Sequence, residues 1–212
     1  MADNYLEKRY DEVFGRGKSS AVSLRKPTLD QLLHRNRSFR GYDKSYTVHR
    51  LQMEAIVGVN TKVASSINGQ RLRFRIVTKG PEADTVLKCI RMGRALPELN
   101  LPFPRTEPEA FIIVCATSQE NASIDIDLGI SLQSMLLKAV ELGLGGLIIR
   151  NFDREPLMEE LHLPLDPIAV LAIGRPAEKV ELVPVRKDAD LRYYRKDGVH
   201  YVPKIVSEDL II

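Results

Sequence analysis

Hydrophobic positions along this chain repeat with a changing period, and each change marks the edge of an element. Val48, Leu51, Ala55, Ile56 and Val59 recur at helical spacing and predict a helix with one buried face, which ends in the Ser/Asn/Gly cluster at 65–69. Leu72, Phe74 and Ile76 then alternate with Arg71, Arg73 and Arg75, and period two predicts a strand whose apolar set, Leu72 included, points inward. Pro81 opens a helix carrying Val86, Leu87 and Ile90 and running to about Gly93. The run Phe111–Cys115 is continuously apolar, as in a strand covered on both faces. From Ser123, read as the cap, a long helix buries Leu128, Leu132, Met135, Leu136, Ala139 and Val140 and stops at Gly143. Gly143–Ile149 then leads into a strand, and a short helix from Asp153 to Leu161 and a strand at 168–173 follow.

The connecting segments are polar. Residues 3–26 read as an N-terminal arm with room for one helix. Thr28 and Gln31 have capping-box spacing and start a short helix through Leu32 and Leu33. Arg35–Thr47 is a basic loop, Pro97–Pro108 a surface excursion, and the chain after Pro176 is charged and loosely patterned. Strands alternating with helices predict a layered α/β or α+β domain with helices on the sheet.

Composition narrows the class. The chain has 212 residues, 44% of them hydrophobic and 28% charged, which suits one ordinary globular domain. No apolar run reaches the length of a membrane span, and the charged start does not resemble a signal peptide, so the expectation is a cytoplasmic protein with no membrane partner. Cys89 and Cys115 sit in apolar surroundings and read as core residues. Thirty-one basic against 28 acidic residues leave a charge of +3, too mild to require nucleic acid. His34, His49, His162 and His200 share no ligand or triad spacing, and no metal site is expected.

Three short motifs carry candidate chemistry, each with a plainer reading beside it. Arg37-Ser38-Phe39-Arg40 offers two guanidinium forks and a hydroxyl to a phosphate, or is a solvated basic loop. Ser65-Ser66-Ile67-Asn68-Gly69-Gln70 offers donors and acceptors to the edge of a heteroaromatic ring, or is a turn. Gly143-Leu144-Gly145-Gly146 leaves room for a flat ligand, or is a tight connection; it is not a dinucleotide fingerprint, which needs its glycines between a strand and a helix.

In this order and spacing the motifs closely resemble the FMN-dependent nitroreductase family over roughly residues 28–187, with Leu142-Gly143-Leu144-Gly145, Arg150-Asn151-Phe152 and Ala172-Ile173-Gly174-Arg175-Pro176 matching its closing motifs. The resemblance implies an α+β fold with a central, mostly antiparallel sheet sandwiched by helices, in a homodimer with swapped terminal extensions. It divides the chain into an arm (1–27), an FMN-binding domain (28–187) and a C-terminal extension (188–212). It places Arg37, Ser38 and Arg40 of one subunit on the phosphate, and Ser65, Ser66, Ile67, Asn68 and Gln70 of the other on the ribityl chain and ring. Ile149 and the backbone near Arg150 and Asn151 would face the flavin edge, Gly146 would give the ring room, and Arg186 or Lys187 would complete the phosphate site.

The implied activity is a ping-pong oxidoreductase that takes hydride from NAD(P)H and reduces nitroaromatic, quinone or related small-molecule acceptors, with the chemistry on the flavin N5 and no catalytic side chain. A flavin-binding or storage protein without turnover is the alternative, and a nucleic-acid module a third. Departures stand at Asn36, where many members have Arg, and at Gln70-Arg71-Leu72 in place of Gln-Pro-Trp in a chain without Trp. Arg71 is expected either in plain solvent or at the mouth of the site, where a cation would favour anionic acceptors.

Overall fold

A computed structural model describes residues 26–93 and 96–212; the expected helix of the N-terminal arm lies outside them. Four antiparallel strands form the main sheet: β1 (Leu72–Val77), β2 (Ala110–Ala116), β3 (Gly145–Ile149) and β4 (Asp166–Gly174), in the order β1-β2-β4-β3. Among the described residues five helices accompany them: α1 (Leu29–Arg35), α2 (Arg50–Val57), α3 (Pro81–Cys89), α4 (Ala122–Glu141) and α5 (Arg154–Glu160).

The two central strands decide the layering. Every residue of β2 is buried, and successive side chains of a strand point to opposite faces. Ile112 and Val114 therefore pack with Met53, Ile56, Leu128, Leu132 and Met135 beneath α2 and α4. Phe111, Ile113 and Cys115 pack with Val86, Cys89 and Leu157 beneath α3 and α5. Helices thus cover both faces of an antiparallel sheet. Leu72, Phe74 and Ile76 lean on the first of these cores while Arg73 and Arg75 face solvent, as the alternation predicts. Among the described residues no helix is long and apolar enough to cross a membrane.

Helix ends follow local chemistry. Thr28 Oγ1 accepts from Gln31 N at 3.3 Å, and Gln31 Oε1 accepts from Thr28 N at 3.0 Å, so the capping box forms. The long helix is capped by Asn121 rather than by Ser123: Asn121 Oδ1 accepts from Ser123 N and Ile124 N, which starts the helix at Ala122. At its other end Gly143 adopts φ +75°, and Leu144 N donates to Ala139 O at 2.8 Å, closing a Schellman turn. The α2 stripe is rotated from the expected one. Gln52, Met53 and Ile56 are buried and Leu51 faces out, because the helix starts only at Arg50 and Gln52 is tied inward by Tyr46 Oη at 2.8 Å. The third helix stops at Cys89, short of Gly93, where Ile90 turns extended and pairs with Phe152.

The main departure lies after Pro176. That segment is a second sheet of β5 (Lys179–Val185), β6 (Tyr194–Lys196) and β7 (Val199–Ile205), in the order β5-β7-β6. Asp197 and Gly198, both at positive φ, form the two-residue turn between β6 and β7, and β7 then lies parallel to β5 with Val180 opposite His200 and Pro184 opposite Lys204.

At Gly146 on β3 a Cβ would sit 2.4 Å from Ala172 O and 2.8 Å from Leu136 Cδ2. Gly146→Ala is expected to cost about 1–3 kcal/mol by overpacking, read as a lower urea midpoint at an unchanged denaturant slope.

Candidate functional site

The loop carrying Arg37, Ser38 and Arg40 is held flat against one end of the main sheet. Phe39 and Tyr42 are buried. They lie directly on glycine backbone: a Cβ on Gly145 would be 2.5 Å from Phe39 Cδ2, and one on Gly174 2.5 Å from Tyr42 Cδ1. Phe39 N donates to Gly146 O at 3.1 Å, and Tyr42 Oη donates to Phe39 O at 2.8 Å. Glu178 accepts from the backbone N–H of Arg40 and, at 3.1 Å, from that of Gly41, while its other oxygen pairs with Arg195. Every polar backbone group named here is satisfied, so the loop has one conformation and its charged side chains a fixed origin.

Those side chains line a cleft of about 260 Å³ whose other wall is the C-terminal sheet. Arg37 and Arg40 meet Lys204 and His200 of β7 there, Tyr193 closes the rim, and Ile148 and Leu136 form an apolar floor. Among the described residues three cations and no carboxylate line the cleft. Arg37 is fixed by donating from Nε to His34 O at 2.9 Å and from Nη2 to Leu33 O, which caps the C-terminal end of α1. Arg40 is buried: Nη1 donates to Ser38 O at 3.1 Å, the guanidinium lies 4.9 Å from the centre of the Tyr193 ring, and Nε has no partner among the described residues.

His200 Nε2 stands 3.4 Å from Arg40 Nη1. Burial, reinforced by Arg40 and Arg195, pushes the imidazole down to about 4, so the ring is neutral at pH 7. A neutral ring accepting from Arg40 at Nε2 carries its proton on Nδ1, and that atom has no partner.

Arg186, expected on the phosphate, is engaged outside this cleft in the single chain. It is exposed and pairs with Asp209 at 2.6 Å, while Lys187 N donates to the same carboxylate at 2.9 Å. Neither residue lines the cleft. The chain leaves the cleft along β5 and returns along β7, and the return brings Lys204 to it. Lys204, His200, Tyr193 and Glu178 were not among the expected residues; the Asp197-Gly198 pair, a hairpin turn signal, is the local feature that marks their sheet.

Ser65–Gln70 lies elsewhere. Ile67, Asn68 and Gln70 all adopt left-handed backbone, at φ 48°, 56° and 47°, a conformation unfavourable for a β-branched residue such as Ile67. The turn is held from outside: Asp127 Oδ1 on α4 accepts from Ser66 N at 2.7 Å, and Ser65 Oγ accepts from Gln70 N at 3.2 Å. Ser65 and Gln70 line a cavity of about 370 Å³ with Asn60, Arg71, Phe74, Asp127 and Ser131, while Ile67 and Asn68 are exposed. This cavity and the cationic cleft share no lining residue, so one chain does not bring the two motifs together.

The remaining expected residues scatter around β3. A Cβ at Gly146 would meet Ala172, Leu136 and Ile173 of this chain. Ile149 is buried opposite Val170. Arg150 is exposed and bound to Asp125 at 2.8 Å and to Glu120, and the Asn151 carbonyl accepts from Arg91 N at 2.9 Å.

With this geometry in hand, comparison with known proteins is informative. The model of the nitroreductase family matches residues 33–175. Among solved structures, an FMN-dependent nitroreductase from Clostridium difficile R20291 superposes with a TM-score of 0.58 at 21% identity, covering 78% of this chain and 97% of that one. A putative NADH dehydrogenase/NAD(P)H nitroreductase from Parabacteroides distasonis reaches 0.57 at 23% identity, with coverages of 79% and 96%. An FMN- and NADPH-dependent nitroreductase from Sphigopyxis sp. strain HMH reaches 0.59 at 16% identity, with coverages of 71% and 89%. No curated protein matches the sequence.

The depressed His200 makes stability depend on pH with a definite sign. The unfolded imidazole binds its proton below about pH 6.5, whereas the folded one resists down to about 4. Its contribution is therefore complete above pH 6.5 and lost as pH falls toward 4. His200→Gln is expected to flatten the loss by on the order of 2–3 kcal/mol between pH 7 and 4, read from urea midpoints across that range.

Proposed function

Because this chain belongs to the nitroreductase family, we propose that it is an FMN-dependent oxidoreductase using NAD(P)H as hydride donor. The observation that carries the reading is the cationic cleft. Arg37, Arg40 and Lys204 surround it without an opposing carboxylate, and Arg40 Nε is buried without a partner. That donor set suits a phosphate monoester, whose oxygens accept charge-assisted hydrogen bonds and whose charge offsets the buried guanidinium.

Each residue has a separate task. Arg40 and Lys204 neutralise the phosphate, Arg37 fixes its direction from a guanidinium already anchored on α1, and Ser38 adds a hydroxyl. Glu178 holds the backbone of Arg40 and Gly41 so that the cations need no rearrangement on binding. Ser65, Ser66, Ile67, Asn68 and Gln70 supply hydrogen-bonding groups and one exposed apolar side chain for the ribityl chain and ring, from a turn that Asp127 prevents from relaxing. The backbone of Ile149, Arg150 and Asn151 is assigned to the flavin edge. When bound, FMN supplies the two-electron chemistry, accepting hydride from NAD(P)H and passing it in a second half-reaction to a nitroaromatic, quinone or related acceptor.

The separation of the two motifs supports a homodimer, in which the cleft of one subunit meets the 65–70 turn of the other. Apolar side chains unpartnered within the chain fit such an assembly: Ile126 on α4 is 64% exposed, and Leu29 and Leu33 on α1 are exposed.

Arg40→Ala and Arg37→Ala are each expected to weaken FMN binding by about 1.5–3 kcal/mol, measured by titrating the stripped protein with FMN; unchanged affinity in both variants removes the phosphate assignment. NAD(P)H oxidation that depends on an added quinone or nitroarene is the expected activity, and bound FMN without turnover would favour a flavin carrier. Sedimentation at micromolar protein is expected to give a dimer, and a monomer retaining stoichiometric FMN would overturn the shared site.

A further inference from the structure

Among the side chains that line the cationic cleft, one is of a type whose charge is not fixed near neutral pH. Beside Arg37, Arg40 and Lys204 stands the imidazole of His200, 1% exposed on β7. Its surroundings come from several segments. Arg40 of the 37–40 loop holds Nη1 3.4 Å from the ring Nε2. Arg195 of β6 and Glu178, just before β5, also face the ring and pair with each other. The Tyr193 ring lies tilted with its centre 5.0 Å away, Lys204 follows on the same strand, and Val180, opposite His200 on β5, brings no charge.

Burial and the two guanidinium groups disfavour the imidazolium, and Glu178, already paired with Arg195, offsets them only in part. Hydrogen bonding points the same way. A second ring proton would sit on Nε2 and face the N–H groups of Arg40, donor against donor. An anion in the cleft reverses this balance, because it sets a negative charge before Arg40 and His200 together. The effect is strong where water is largely excluded, since Coulomb interactions grow as the local dielectric falls.

We infer that His200 is the proton-taking member of this anion site: neutral in the free protein, it gains a proton from solvent at Nε2 as an anion binds, and the cleft then meets its ligand with four positive charges in place of three. Linkage fixes the sign of the consequence. An anion that raises the proton affinity of the ring is itself bound more tightly by the protonated form, by the same factor. Affinity for a dianion therefore rises as pH falls from 7 toward 5. Arginine and lysine side chains alone give no such trend, because both types stay charged throughout that range.

Sulfate is the probe, since it remains a dianion across the range, whereas a phosphate monoester takes up a proton of its own at about pH 6. The four histidines are titrated by NMR in the flavin-free chain, with and without sulfate at matched ionic strength, each ring assigned through its backbone. The His200 midpoint is expected to rise from about 4 by on the order of two pH units, while His34, His49 and His162 keep theirs. Sulfate binding, followed at the backbone amides of residues 37–40, is expected to be about tenfold tighter at pH 5 than at pH 7. His200→Gln keeps an acceptor for Arg40 but does not titrate, and is expected to bind sulfate equally at both pH values.

An unmoved His200 midpoint, a shift shared by all four histidines, or amides at 37–40 that do not respond to sulfate overturns the inference. If His200→Gln does not fold, the wild-type titration decides alone. The inference rests on reading the cleft as an anion site and not on the flavin. Sulfate that moves His200 in a chain unable to bind FMN refutes the flavin reading and keeps this one. FMN held through Arg37 and Arg40 with the His200 midpoint unmoved does the reverse.

Discussion

Phe39 and Tyr42 lying on the bare backbone of Gly145 and Gly174 is the contact on which the rest of the site depends. Two aromatic rings can approach strands this closely only where the strands carry no Cβ, and the approach buries both rings while their loop crosses the ends of β3 and β4. Arg37, Ser38 and Arg40 alternate with or flank those anchors, so the side chains that cannot be buried cheaply are directed to the cleft. The glycines of the Gly-Leu-Gly-Gly and Ile-Gly-Arg-Pro segments are thus explained by packing within the chain. Whatever occupies the cleft benefits from the loop's rigidity.

The second constraint is electrostatic. Arg40 and Arg195 both lie near a neutral His200 beside the C-terminal sheet, and of the two guanidinium groups only that of Arg195 pairs with Glu178 among the described residues. An uncompensated buried cation costs several kcal/mol, roughly, unless it is paired or partly solvated. The cleft opens beside Arg40, and Arg37 and Lys204 line it too. Neutrality of His200 is part of the same balance, because a third positive group there would raise the cost further. The C-terminal sheet accordingly finishes the cationic site that the 37–40 loop begins.

The turn at Ser65–Gln70 is held by different means, through one carboxylate on α4 rather than by aromatic packing. Its left-handed residues, Ile67 above all, persist because Asp127 and Ser65 bond the backbone on either side of them.

Periodicity alone determined the strands of the main sheet and most of the helices on it. The alternation at 71–76, the continuous run at 111–115 and the long stripe at 128–140 each match what is buried. Such patterns report burial directly, because a side chain's face follows from its position in the repeat. The motifs at 37–40 and 65–70 were legible as chemistry from residue type and order. Three things were not. Ser123 looked like the helix cap, yet Asn121 fills that role, because either residue caps and only the chain's path selects between them. Lys204 drew no attention in the sequence, yet it lines the cleft, because the parallel pairing of β5 and β7 is a contact between segments twenty residues apart. How closely Ala172 and Leu136 approach Gly146 shows only in the packed sheet. Local pattern fixes which residues face inward, whereas which residues meet across the fold depends on strand pairing and helix placement, and those are decided only when the whole chain packs.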